Sequence, residues 1–505
     1  MNIHELMNSV DVNTMTINNL NKDEESKAEK GQFFTPIKIA CFMSSLFSPI
    51  SKDFIRILDP GAGTGNLTAA LIETILKREI TPKKIEVVLY ENDEGLYSSL
   101  DASMKLCKGL CDGKNIQFKY IIECKDFLLE ATNSKDSISF DYIIINPPYK
   151  KLGTNTDHKR ALLEVDINVP NYYAAFVSLA MRMLRAKESQ LVCIVPRSFC
   201  NGSYFKSFRH DLTTTKKIDH IHIFESRKDL FYDDVLQETV ILKLSNKIQK
   251  DNDKVSISTT TLNDFEKLKN FEQRFDNIVF PNDNLKIIRI INEDQNKIVA
   301  QMNSLQNDLT DIKLGVSTGP IVDFREEKDS LLDSPTIFTL PLIYPEHIRH
   351  GYVDVYKKTK KAGYILPSDK NVKRLRPNGC YVLVKRMSSK EEQKRISAAV
   401  YDGNKLPYKY AAFDNKTNYF HSDFKGLESK ELAKGLSLYL NSSFVDFFFR
   451  TYSGSTQVNV SDLKGLKFPS LEKLILIGSM YDEFLPEQDK IDSIIETFIL
   501  GQEVI

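Results

Sequence analysis

Asn146-Pro147-Pro148-Tyr149 puts two hydrogen-bond acceptors and a flat ring directly after the apolar run Asp141-Tyr142-Ile143-Ile144-Ile145. The acceptors are the Asn146 side-chain oxygen and the Pro147 carbonyl. If the apolar run is a buried strand, both leave from its carboxyl end, where open α/β sheets bind their ligands. Two acceptors can hold a planar –NH2 group, and the Tyr149 ring can stack on whatever carries it. The pattern predicts a grip on an amino group of an aromatic or amide substrate. The plain alternative is a strand-ending turn, since prolines stop strands routinely.

The elements that would position this grip lie upstream. Ile55-Arg56-Ile57-Leu58 reads as a strand, Asp59-Pro60-Gly61-Ala62-Gly63-Thr64-Gly65-Asn66 as a glycine-rich turn, and Leu67 to Leu76 as a helix. Such a turn lets backbone approach a ligand where side chains would clash; alone it would serve a dinucleotide equally well. The strand Ile85 to Tyr90 ends in Glu91, suited to ribose hydroxyls or simply to solvent. The strand Phe118 to Ile122 leads to Asp126, an acceptor for an adenine amino group, and to Phe127, a ring to stack on it. Three successive strands therefore end in Asp59, Glu91 and Asp126, and a fourth in Asn146.

That order and spacing resembles the S-adenosylmethionine-dependent DNA methyltransferases, specifically the N6-adenine enzymes of the gamma class found in type II restriction-modification systems. In that class a Gly-x-x-(aromatic)-Thr-Pro segment precedes the glycine-rich turn; here it is Gly31-Gln32-Phe33-Phe34-Thr35-Pro36. The resemblance implies S-adenosylmethionine as cofactor, bound by Thr35, Pro36, Asp59, Gly61, Gly63, Glu91, Asn92, Asp126 and Phe127. It implies a target-base site at Asn146 to Tyr149, with a further aromatic wall at Phe231, ahead of the strand-like Glu238 to Leu244. Its specific motifs cover residues 28–245.

The chain has 505 residues, 42% hydrophobic and 27% charged, which predicts two to four globular domains. No apolar stretch approaches the roughly 20 residues that span a membrane. Met1 to Lys30 is polar and acidic, without a signal-peptide pattern. The seven cysteines are scattered, and Cys107 and Cys111 read as two free thiols on a helix, so no metal site and a reducing cytoplasm are expected. Residues 1–30 read as a lead-in. Residues 31–245 read as the catalytic domain, a doubly wound, Rossmann-like, largely parallel sheet. Residues 246–310 read as a helical linker, because Leu285, Ile288, Ile291, Ile298, Met302, Leu305 and Leu309 recur at near-helical spacing. Residues 311–505 read as a mixed α/β target-recognition domain. Lys357 to Arg395 holds 13 Lys or Arg against three acids (Asp369, Glu391, Glu392), net +10, in a chain whose net charge is zero. The excess suits phosphate contact, with Lys373, Arg374 and Arg376 as candidates; a solvated surface is the alternative. Gln457 and Asn459 either read bases or close a turn.

An adenine N6 lone pair is delocalised into the ring and is a poor nucleophile. On this reading Asn146, Pro147, Pro148 and Tyr149 are catalytic: the two acceptors draw the amine toward tetrahedral geometry and stabilise the positive charge that grows on nitrogen. No strong base is needed, because the methylated ammonium is acidic. A base in a duplex must be flipped out to reach such a pocket, where Tyr149 would stack on it. The expected partners are duplex DNA with a specific recognition sequence and a separately encoded restriction endonuclease, the protein acting as a monomer without a membrane. The rivals are an N4-cytosine enzyme, which more often has Ser at position 146, and protein-glutamine or RNA methyltransferases, which share Asn-Pro-Pro-aromatic but are usually shorter. A non-enzymatic rival is a DNA-binding subunit with an inactive methyltransferase fold.

Overall fold

A computed structural model describes residues 10, 14, 34–133, 139–224, 239–260, 265, 268–281, 283–290, 295–389, 392–453 and 456–501. Phe231 and Gly31 to Phe33 lie outside these residues. The chain divides into two compact units, Met1–Ile288 and Arg289–Ile505.

The first unit is built on one nine-stranded sheet. Its strands are β1 (Phe54–Pro60), β2 (Lys84–Tyr90), β3 (Gln117–Glu123), β4 (Tyr142–Ile145), β5 (Gln190–Pro196), β6 (Lys217–Phe224), β7 (Thr239–Ser245), β8 (Lys254–Thr260) and β9 (Lys269–Arg274), in the order β3-β2-β1-β4-β5-β7-β6-β8-β9. The first five strands run parallel to one another, and β7 runs antiparallel between β5 and β6. β4 and β5 are buried along their whole length, as central parallel strands covered on both faces must be. Alternate residues Ile55, Ile57, Ile85, Val87 and Leu89 form one core with the apolar sides of α1 (Ile37–Ser45), α2 (Asn66–Leu76) and α3 (Tyr97–Asp112). Cys107 and Cys111 belong to that core. Strand order reverses between β1, whose successor lies on one side, and β4 on the other. In a doubly wound sheet this reversal opens the binding crevice at the strands' carboxyl ends.

The expected helical linker is corrected in its first half. β8 and β9 extend the sheet, and the first unit runs to Ile288 rather than stopping at residue 245. Of the expected helix, among the described residues only Asn296–Ser304 is helical, and it belongs to the second unit. The physical reason sits at Asp283. Its carboxylate accepts from the Leu285 and Ile287 N–H groups at 2.8 and 3.0 Å. That local turn offers the backbone an alternative to helical bonds. Ile287 and Ile288 are then both buried from non-helical backbone. Within the lead-in, Val10 and Thr14 are both fully buried.

The second unit is mixed α/β. One five-stranded sheet orders Gly315–Thr318, Thr417–His421, Cys380–Lys385, Ala398–Asp402 and Gly351–Tyr352. The other orders Leu331–Leu332, Tyr364–Ile365, Leu340–Ile343, Tyr410–Phe413 and Arg376–Pro377. Tyr381, Leu383, Tyr401, Phe413 and Tyr419 cluster as a core. The helices Lys430–Leu440 and Leu471–Gly478 cross at Gly435 and Gly478, where any Cβ would collide with the facing backbone.

Candidate active site

β1 delivers the chain into a turn whose backbone favours glycine at three positions. Gly61, Gly63 and Gly65 adopt φ of +80°, +57° and +88°, a region costly for any residue with a Cβ. The Gly61 and Ala62 N–H groups donate to the Tyr90 carbonyl at 2.8 and 2.9 Å, which ties the turn to the end of β2. Glu91 locks it further. One carboxylate oxygen accepts from Gly63 N–H and the other from Asp93 N–H, both at 2.8 Å. Burial pushes the Glu91 carboxyl up, and these N–H bonds oppose the shift.

Asp59 sits at the end of β1, wholly buried. Thr68 donates its hydroxyl to Asp59 Oδ2 at 2.7 Å, while Oδ1 has no partner among the described residues. Burial, reinforced by the charge of Glu91, pushes this carboxyl up to about 7.

Asp126 heads α4 (Phe127–Asn133) and caps it, accepting from Leu129 N–H at 3.1 Å on Oδ1. Its Oδ2 lies 2.9 Å from His158 Nε2. Burial alone would raise this carboxyl, but the His158 hydrogen bond and the helix N–H groups together hold it below the usual carboxylate range. The Phe127 ring meets Tyr90 and Phe176 at centroid separations of 5.3 and 5.2 Å.

At the end of β4, the Asn146 amide donates to Thr35 Oγ1 at 3.0 Å. The Thr35 carbonyl accepts from Asn66 Nδ2 at 3.0 Å, and Asn66 Oδ1 accepts from Thr14 Oγ1 at 2.8 Å. A polar relay therefore fixes the strand end from the opening of α2. Pro36 leads directly into α1, its carbonyl accepting from Ala40 N–H. The Tyr149 hydroxyl donates to the Ile194 carbonyl of β5 at 3.2 Å, and its ring stands edge-on to Tyr173 at 6.4 Å.

These strand ends surround a cavity of about 430 Å³, within the range of ligand pockets. Gly61, Gly63, Glu91, Asn92, Asp126, Phe127, Asn146 and Pro148 line it. Thr35, Pro36, Asp59, Pro147 and Tyr149 are not among its lining residues. Sequence reasoning did not assign a site role to Phe34, Tyr90, Lys125, Lys150, His158, Tyr172 or Phe176, which also line the cavity. Phe34 stood inside the Gly-x-x-(aromatic)-Thr-Pro segment, and Tyr90 and Lys125 adjoin assigned residues. His158 comes from α5 (Asp157–Glu164), and Tyr172 and Phe176 from α6 (Tyr172–Arg182). Helical positions beyond Asn-Pro-Pro-Tyr carry no strand-end signal.

In the second unit the three basic candidates have different fates. The Arg374 guanidinium forks onto both oxygens of Glu326, whose side chain is 3% exposed. Arg376 donates to the Tyr419 hydroxyl at 2.7 Å and lies over the Tyr419 and Phe424 rings. Lys373 is exposed. Lys361 and Lys370 of the same basic stretch pair with Asp323 and Glu327. Acids outside the stretch therefore pair with three of its cations. Asn459 closes a turn: with Asp462 it forms a capping box at the helix Val460–Lys464.

The Eco57I restriction-modification methylase family matches residues 75–231. The type II methyltransferase M.BsuBI of Bacillus subtilis is 39% identical over 504 residues, 98% of this chain and 99% of that protein. The type II methyltransferase M.PstI of Providencia stuartii is 35% identical over 480 residues, 94% and 93% of the two chains. Among solved structures, the type IIL restriction-modification enzyme MmeI, determined with DNA, shares the fold at 13% identity with a TM-score of 0.54, over 97% of this chain and 75% of that one. With a doubly wound sheet, a glycine-lined crevice at its switch point and near-full-length identity to two such enzymes, the chain belongs to the type II methyltransferases of restriction-modification systems, with S-adenosylmethionine as its cofactor.

Proposed function

We propose that this enzyme methylates N6 of an adenine flipped out of duplex DNA at a specific sequence, protecting that sequence from a separately encoded endonuclease. The observation that carries the reading is Asn146. It stands at the carboxyl end of β4, on the edge of the cavity, with its amide nitrogen held by Thr35. An acceptor so fixed suits an exocyclic amino group. Single-molecule sequencing of DNA from cells expressing the protein tests it: N6-methyladenine at one motif is expected, and N4-methylcytosine instead would overturn the adenine assignment.

The residues fit the cofactor chemically. Bare glycine backbone at Gly61 and Gly63 leaves room for a ligand, and Asp59, buried two residues before Gly61 with no partner for Oδ1 among the described residues, suits a cationic one. In the proposed site Thr35, Pro36, Asp59, Gly61, Gly63 and Asn92 hold the amino-acid side, Glu91 takes the ribose hydroxyls, and Asp126 and Phe127 take the adenine. When bound, S-adenosylmethionine supplies an electrophilic methyl group. The protein's task is to orient the amine and stabilise its developing charge through the Asn146 oxygen and the Pro147 carbonyl. Pro148 shapes the approach, and Tyr149 and Phe231 flank the target base.

Asp126→Ala should raise the S-adenosylmethionine dissociation constant, because the adenine amino group loses an acceptor contributing roughly 1–3 kcal/mol. Calorimetry checks this; unchanged affinity would show that β3 ends elsewhere in the site.

The second unit is proposed to select the DNA sequence, the enzyme acting as a monomer. Among the described residues no helix is long and apolar enough to cross a membrane. Arg374→Ala should lower thermal stability by roughly 1–2 kcal/mol, since it strands the Glu326 carboxylate while the guanidinium itself is partly solvated. Lys373→Ala should leave the melting temperature unchanged, weaken binding to all DNA sequences alike and flatten the salt slope by about 0.9. Equal melting losses in both variants would contradict this division. Arg376 is proposed to support the DNA-facing surface by bracing the Tyr419 and Phe424 rings.

A further inference from the structure

We propose that His158 is a positioning residue of the cofactor cavity: it clamps the Asp126 carboxylate and ties the helix that follows Asn-Pro-Pro-Tyr to cofactor binding. The inference rests on the reading of this cavity as the S-adenosylmethionine site. His158 stands 32 residues from Asp126 in sequence, with Nε2 2.9 Å from Asp126 Oδ2. Its Nδ1 lies 3.1 Å from the Tyr172 hydroxyl. All three side chains line the cavity. Asp126 Oδ1 already caps α4 through Leu129 N–H. With Oδ2 taken by His158, both oxygens are anchored and the carboxylate loses its rotational freedom. Each oxygen keeps a further lone pair for an amino-group donor. A preorganised acceptor binds more tightly than one that must be ordered on binding.

Both protonation states of His158 satisfy its two contacts. A neutral ring donates from Nε2 and accepts the Tyr172 hydroxyl on Nδ1; an imidazolium donates from both. Electrostatics decides between them. The Asp126 hydrogen bond, then its charge and that of Asp157, hold the imidazole above its ordinary range. The other charged groups on the elements around it are Lys159, Arg160 (paired with Asp157) and Glu164 on α5, Glu130 on α4, Arg182 on α6, and Lys125, which pairs with Glu123 and Glu130. Tyr172 is the titratable group facing it from α6. The imidazolium form is therefore favoured relative to a free histidine, and the charged pair weakens as pH rises through the titration of His158.

The test is calorimetric titration of the full-length protein with S-adenosylmethionine and with S-adenosylhomocysteine, across the pH range in which imidazoles titrate. His158→Ala should weaken binding roughly 5- to 30-fold near neutral pH. His158→Gln keeps a donor but cannot ionise. It should recover most of the affinity and lose the part of the pH dependence that the imidazole supplies. Other titrating groups are common to all variants and cancel in the comparison. Tyr172→Phe should move affinity in the same direction by less, and a cofactor-free melting curve shows whether each variant is folded. Wild-type affinity at every pH in both His158 variants would overturn the proposal. So would a loss that is constant with pH and not rescued by Gln. Absence of any binding by the wild-type protein would instead overturn the reading of the cavity, and this inference with it.

Discussion

Asn146→Ala is expected to slow methyl transfer on the order of 10²-fold or more while leaving S-adenosylmethionine affinity nearly unchanged. The separation follows from where the residues stand. The proposed cofactor contacts come from Thr35 and Pro36 before α1 and from the ends of β1, β2 and β3, whereas Asn146 ends β4 and is held by Thr35. Alanine removes one of two acceptors that stabilise positive charge on the amine, an interaction that strengthens as the charge grows. It should therefore appear in the single-turnover rate and not in ground-state binding. The Pro147 carbonyl remains and should sustain residual activity. Thr35→Val keeps the Thr35 backbone bond to Asn66 but removes the hydroxyl that anchors the Asn146 amide, so a smaller loss in the same step is expected, together with some loss of cofactor affinity because Thr35 also belongs to the proposed cofactor site. Recovery of the Asn146→Ala rate at saturating cofactor, with calorimetry showing weakened cofactor binding, would move Asn146 from the chemistry to the cofactor.

The doubly wound sheet was legible because its signals are local. β1, β2, β4 and β5 are short apolar runs, each closed by a polar residue or a proline, and the glycine turn after β1 is written in consecutive residues. What brings those strand ends together is not local. The Asn146–Thr35 bond spans 111 positions, and the Asp126–His158 pair joins a strand end to a helix with nothing in its sequence to mark it. Helical spacing misled between Leu285 and Ile288, because spacing records which residues are apolar and not which backbone bonds win. There Asp283 competes successfully for the N–H groups a helix would use. Charge counting over Lys357 to Arg395 is blind to folded partners for a similar reason. The acids that answer Lys361, Lys370 and Arg374 are Asp323, Glu327 and Glu326, outside the counted window. Lys373, indistinguishable from Arg374 by composition, is set apart only by folding.

Asp59→Asn is expected to make the cofactor-free protein more stable at about pH 8 and to bind S-adenosylmethionine less well. The Asp59 carboxyl is pushed up from its ordinary 3.8 to about 7 by burial and by Glu91. Between those values the folded state holds a proton that the unfolded chain has released. This group's contribution to stability is therefore fully present below its unfolded value and lost as pH rises through about 7. At about pH 8 the native state carries a buried charge that costs roughly 2–4 kcal/mol. Asparagine is neutral throughout and can still accept from Thr68, so the variant should melt higher at about pH 8. At about pH 5, where the wild-type carboxyl is protonated when folded but ionised in the unfolded chain, the gain should shrink markedly, and it should vanish, or reverse slightly if the new amide N–H finds no partner beside the former Oδ1, only below about 3.8. A charge kept at such a cost needs a compensating role, and a cationic ligand supplies one: S-adenosylmethionine carries a sulfonium and an ammonium group, and their attraction to an ionised Asp59 is strengthened by the dry surroundings. Wild-type affinity should then fall as pH drops through about 7, and Asp59→Asn should lack that slope. Melting curves at the two pH values and calorimetry across them decide the matter. A variant no more stable than wild type at the higher pH, or one with unaltered pH dependence of binding, would show that Asp59 is an ordinary buried carboxyl rather than a stored charge released to the cofactor.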